Sequence, residues 1–174
     1  MQSARYCIPV VLNFQYNFKI TGLTGEKSVS EVSAVDEDGS CFISSVIKEP
    51  GAKSDVDNAQ TLKRVALKLL YLIQEKMTII GYEIENLFEM LNIHVPEEQV
   101  KDIVSLYRSL FKRSLSLNAL AQHFFDEPIE EEETDPIDLA RLSLRLHAKF
   151  NELKEADEAD INITALTQSL EIVS

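Results

Sequence analysis

Three groups of side chains in this sequence stand at spacings that could do chemistry. His123, Asp126 and Glu127 lie at i, i+3 and i+4, one face if a helix runs that far. An imidazole and two carboxylates could hold a metal ion. The expected role is simpler: nearby carboxylates favour the charged form of the imidazole. Arg141, Arg145 and Lys149 lie at i, i+4 and i+8, a basic stripe beside Leu139, Leu142 and Leu146. It is expected to be a solvated flank or to pair with Glu130–Glu133 of the same chain, and otherwise to meet an acidic partner or a second copy. The third group is the run from Asp126 to Asp135, in which seven of ten side chains are carboxylates. Such a run repels itself and reads as a solvated loop. It lacks the Asp/Asn/Gly alternation of a calcium-binding loop.

Other signatures are absent. The sequence has no nucleophile elbow, no Gly-rich phosphate loop and no His-Glu-x-x-His motif. Cys7 and Cys41 stand in strand-like segments and are expected to be buried apolar-type thiols. No catalytic residue, no metal site and no cofactor are assigned. Residues 85–107 resemble a helix-turn-helix: an apolar helix, a turn at Asn92-Ile93-His94-Val95, and a second helix opening at Pro96. Phe88 stands where that motif wants a small residue. Glu97 and Glu98 stand where a groove-reading helix needs cations.

The elements that must position these groups follow from periodicity. Val10, Leu12, Phe14, Tyr16, Phe18 and Ile20 alternate with mostly polar residues, which predicts a strand with one buried face. Further strands are predicted at 28–35 and 41–47, joined by a turn containing Asp38-Gly39. Three strands with an apolar face need a cover. Helix one is predicted from Asp57 or Asn58 to about Met77, with Leu62, Val65, Ala66, Leu69, Leu70 and Ile73 on one face and Leu67 and Leu72 adding apolar surface elsewhere. Thr78-Ile79-Ile80-Gly81 reads as its end. Helices follow at 82–91, from Pro96 to Phe111, at 117–125, from Pro136 past Leu153, and near 162–172. Asp135 caps the helix that opens at Pro136.

The expected fold is α+β: a small N-terminal three-stranded antiparallel β-meander packed against a bundle of about five to six helices. A single domain, 1–174, is expected, divided into meander (1–49), linker (50–57), helical bundle (58–125), acidic loop (126–135) and C-terminal helices (136–174). Met1 to Asn13 carry one basic residue, Arg5, and no secretory leader is expected. The longest strongly apolar run, Val65–Ile73, is far short of the ~20 residues that span a bilayer. These points predict a cytoplasmic protein. The net charge is −12, and the last 49 residues carry 4 basic and 14 acidic groups. That balance disfavours nucleic acid and anionic membrane as partners. The expected function is therefore non-enzymatic: a regulatory, adaptor or chaperone-like protein that binds another protein or a second copy of itself. Its expected partner-binding residues are Arg141, Arg145, Lys149, Leu67 and Leu72. Two alternatives stand beside it, a DNA-binding regulator working through residues 85–107, and a small-ligand binder or enzyme with a composite site.

Overall fold

A computed structural model describes residues 11–21, 26–48, 60–131 and 133–157. Its elements run β1 (Val11–Thr21), β2 (Glu26–Val35), β3 (Cys41–Lys48), β4 (Gln60–Thr61), α1 (Leu62–Gln74), β5 (Thr78–Gly81), α2 (Ile84–Leu91), β6 (Val100–Asp102), α3 (Ile103–Phe111), α4 (Leu117–Phe125) and α5 (Pro136–Asp157). Strand and helix mix in one chain, as the sequence predicts. The sheet is larger than expected: six strands in the order β4-β3-β2-β1-β5-β6. β1 pairs antiparallel with β2, and β2 with β3. On its other side β1 pairs parallel with β5, and β5 with β6.

β5 is the strand that periodicity hides. Thr78-Ile79-Ile80-Gly81 is too short to alternate visibly and abuts a helix of similar composition. Ile79 and Ile80 are both buried, on opposite faces, the pattern of a central parallel strand. The turn before it explains the break. Lys76 adopts φ 57°, and Met77 N–H donates to the Leu72 carbonyl at 3.4 Å, which ends α1 and redirects the chain into the sheet.

Helices cover both faces instead of forming one bundle. On one face Leu12, Tyr16, Val32, Ala34, Ile43 and Ile79 meet Val65, Leu69 and Leu72 of α1 and Ile84, Leu87 and Phe88 of α2. On the other, Ile80 joins Ile103, Tyr107 and Phe111 of α3, Leu117 and Leu120 of α4, and Leu139, Leu142, Leu146 and Phe150 of α5. The Tyr107 ring stacks on Phe111, meets Phe124 at a tilt and Phe150 edge-on, with centroids 6.1, 5.5 and 5.7 Å away, and its hydroxyl donates to the Leu146 carbonyl at 2.8 Å.

Other expectations need correction. Residues 85–107 are not a helix-turn-helix. Glu97–Gln99 form one 3-10 turn, β6 follows, and α3 begins only at Ile103. A strand inserted between the helices lets Asp102 enter the sheet. Cys41 is exposed at the start of β3. The proposed linker, the helix near 162–172 and Cys7 lie outside the described residues. No described helix is long and apolar enough to cross a membrane.

Candidate nucleic-acid interface

The central pair of the sheet forms a switch point by its connectivity, the place where an open sheet is expected to offer a crevice. β1 and β5 are parallel neighbours, with Asn13 beside Ile80 and Phe14 beside Gly81. From β1 the chain turns to β2 on one side. From β5 it passes through α2 to β6 on the other. Where connections leave adjacent parallel strands in opposite directions, a cleft opens beyond the strand ends, and ligands of open sheets bind there. Pairing stops at Phe14–Gly81 while β1 runs on to Thr21, so the crevice lies over the middle of β1.

One wall is the turn into α2. Glu83 adopts the left-handed conformation, φ 52° and ψ 32°, and its side chain makes no capping bond to α2. Asp102 supplies that bond from the end of β6: one carboxylate oxygen accepts from Glu85 N–H at 3.3 Å and the other from Val104 N–H at 2.9 Å. A single buried carboxylate thus satisfies amides at two helix N-termini, where the backbone dipole favours negative charge. Across the crevice the Tyr16 hydroxyl donates to the Glu83 carbonyl at 2.9 Å. Burial, helped by the Glu83 charge, pushes this phenol up to about 12, so it stays protonated. Tyr82 donates to the Leu115 carbonyl at 2.9 Å and is likewise raised, first by burial and then by Glu83 and Glu131. Burial also raises the Glu131 carboxyl, and the Glu83 charge adds to this.

Strand alternation sets positions 13 and 15 on the face of β1 opposite to Leu12 and Tyr16, which pack with α1 and α2. Gln15 pairs in register with Ser33, and Asn13 with Val35. Ser33 is buried and its hydroxyl has no hydrogen-bond partner among the described residues. Ser143 of α5 is buried and bonds its own helix at the Leu139 carbonyl, 3.2 Å away. A groove of about 1160 Å³ between α2 and α3 is lined by Glu85, Glu89, Glu97, Glu98 and Asp102 against a single lysine, Lys101, a poor match for phosphate.

The sequence-predicted partner residues do not converge. Leu67 is exposed on α1 beside Phe42, Arg64 and Tyr71, around an apolar hollow of about 520 Å³. Leu72 is buried in the core under α1, because the arc that meets the sheet is Val65, Leu69 and Leu72. The basic stripe is paired at home, though not with Glu130–Glu133. Arg141 donates to Asp138 and to the Gly39 carbonyl, and Lys149 to Glu152. Arg145 forms a two-bond fork with Glu127 at 2.7 and 3.0 Å and lies 4.0 Å over the Phe125 ring. The His123 imidazole is shifted down by burial, opposite to the expected carboxylate effect, and it packs edge-on against Phe124. Among the described residues no three His, Cys, Asp or Glu side chains gather as metal ligands. Sequence reasoning missed Asn13 and Gln15. Their signal was two amides at i, i+2 on the polar side of an otherwise apolar central strand.

No protein-family model matches the chain. Stretches of it are similar to curated proteins. It is 40% identical over 95 residues to the PolyA-specific ribonuclease subunit panl-2 of Caenorhabditis elegans, covering 55% of this chain and 8% of that protein. It is 38% identical over 104 residues to the PAN2-PAN3 deadenylation complex catalytic subunit PAN2 of Homo sapiens, covering 60% and 9%. The fold is shared with larger solved modules. The Saccharomyces cerevisiae Pan2 pseudoubiquitin hydrolase-RNA exonuclease module in complex with AAGGAA RNA superposes with a TM-score of 0.81 at 18% identity, over 98% of this chain and 33% of that one. The Neurospora crassa Pan2 catalytic unit, protease and nuclease domain, gives 0.76 at 22% identity, over 98% and 31%. The chain therefore spans a small fraction of its curated relatives and about a third of the solved modules. These similarities overturn the expectation of a non-enzymatic interaction protein with nucleic acid as an unlikely partner. The relatives are ribonuclease and deadenylation subunits, and the yeast module was solved with RNA. The charge argument misled because the acidity is concentrated in the last 49 residues and says little about one crevice.

Proposed function

We propose that this chain is the nuclease-fold part of an RNA-processing assembly of the deadenylation type, engaging adenosine-rich RNA at the crevice between β1 and β5. The observation that carries the reading is the coincidence of two similarities. Identity of 38–40% ties over half of the chain to poly(A)-ribonuclease and deadenylation subunits, and the fold of an RNA-bound exonuclease module extends over 98% of it. The nuclease part is favoured over the protease part for two reasons. A switch point between parallel strands suits a phosphate-bearing ligand. The one described thiol, Cys41, lies on β3, two strands away from β1. The chain works as one folded unit under this reading, and its setting is the cytoplasm, where messenger tails are shortened.

Fluorescence anisotropy with labelled oligoadenylate and oligocytidylate of equal length tests it. Oligoadenylate is expected to bind the more tightly, with affinity falling as salt rises because phosphate contacts release counterions. Absence of oligoadenylate binding at low salt and tens of micromolar protein would remove the proposal.

A further inference from the structure

We infer that the crevice lacks the ligands for the metal ions that phosphodiester hydrolysis uses, so this chain reads RNA without cutting it; the RNA half of this statement rests on the function proposed above. Ribonuclease relatives imply divalent metal, since nucleases commonly clamp the scissile phosphate between two ions about 3.5–4 Å apart. Magnesium and manganese at such sites take oxygen ligands, mainly carboxylates. The rigid element that should carry them is the central strand, because ligands on strands are held more precisely than ligands on loops.

The donor set does not fit. β1 contains no Asp, Glu or His, and neither does β5. The first carboxylate anywhere in the chain is Glu26 and the first imidazole is His94. At the strand positions beside the crevice stand Asn13 and Gln15, the uncharged amide counterparts of Asp and Glu. The register partners are Ser33, Val35 and Ile80, and α5, which packs on this sheet, brings Leu139 against Ile80; all four are buried and none is anionic. Asp102, the nearest buried carboxylate, is spent on two backbone amides. Glu83 and Glu131 border the mouth from a turn and a loop, and the described residues offer no third ligand beside them. Amides can donate hydrogen bonds to phosphate and ribose oxygens without a metal bridge.

Two measurements on the full chain test this. In the first, manganese(II) alone is titrated and followed by electron paramagnetic resonance. The wild type is expected to show only weak surface binding, and the Asn13→Asp, Gln15→Glu double variant at least about a tenfold gain in affinity. Wild-type binding in the micromolar range that Asn13→Ala abolishes would overturn the inference, whether or not the double variant folds. In the second, oligoadenylate is incubated with magnesium or with EDTA. Affinity is expected to agree within about twofold in the two buffers, with the RNA intact. Shortening of the RNA that EDTA stops would overturn the inference. Failure of RNA to bind in either buffer would instead count against the proposed function, and the manganese titration would still decide the donor set.

Discussion

The Asp102 carboxylate accepts the backbone amide of Glu85, seventeen residues earlier in the chain, at 3.3 Å, and so holds α2 against the sheet at the mouth of the crevice. The same group caps α3 through Val104. Removing it leaves half-buried amides without their acceptor at two helix starts. Asp102→Ala is expected to cost about 2–3 kcal/mol, near the sum of a lost cap and an unsatisfied buried donor. Asp102→Asn keeps one acceptor oxygen and should cost less. Urea denaturation of the three proteins checks the order, and equal stabilities would show that the carboxylate holds neither helix.

Tyr16 bridges the crevice to the Glu83 carbonyl at 2.9 Å. Tyr16→Phe is expected to lower stability by about 1 kcal/mol. It should also speed hydrogen exchange at the amides of residues 83–86, because the strained turn at Glu83 loses its anchor. Unchanged exchange there would mean that α2 is fixed by Asp102 alone.

Tyr107 sits at the centre of the second core, with its hydroxyl on the Leu146 carbonyl at 2.8 Å. Tyr107→Phe keeps the ring contacts and should cost about 1 kcal/mol, whereas Tyr107→Ala should cost about 3–5 kcal/mol through the cavity it leaves. A calorimetric comparison that finds the two variants alike would show that ring packing adds nothing to the hydrogen bond.

Burial lowers the His147 imidazole below its ordinary 6.5, and the Lys101 charge adds to this. Burial lowers His123 too. A lowered folded-state value means that the unfolded chain binds the proton first. The contribution of these residues is therefore complete above 6.5 and lost as pH falls from 6.5 through their folded-state values. Glu131 runs the other way, because its raised carboxyl takes up a proton more readily when folded. Stability measured from pH 8 to pH 5 should fall below 6.5, and His147→Gln should flatten that slope. An unchanged slope in the variant would assign the loss to other groups.

Much of this molecule could be read locally. The eleven-residue strand β1, the Asp-Gly turn and the cap at Asp135 are consequences of neighbouring residues and stand where local pattern put them. The arc of α1 does not: Leu62 and Leu70, expected on its inner face, are exposed, and Leu72 is buried. Local pattern failed at β5 and β6, four and three residues long, whose strand state comes only from pairing, β5 with β1 and β6 with β5. Missing β5 turned a two-sided sheet into a meander under a bundle, and with it the crevice vanished, because a switch point is a property of strand order. The paired state of Arg145 and the burial of Leu72 were hidden for the same reason: which side of a helix meets protein depends on what lies across from it. What the residues settled by themselves is the chemistry available to the central strand, since no folding can place a carboxylate where the chain carries only amides. Tertiary structure alone brought a distant four-residue strand alongside Asn13, with Gln15 just past the end of the pairing, and so set the switch point at which the two amides are proposed to act.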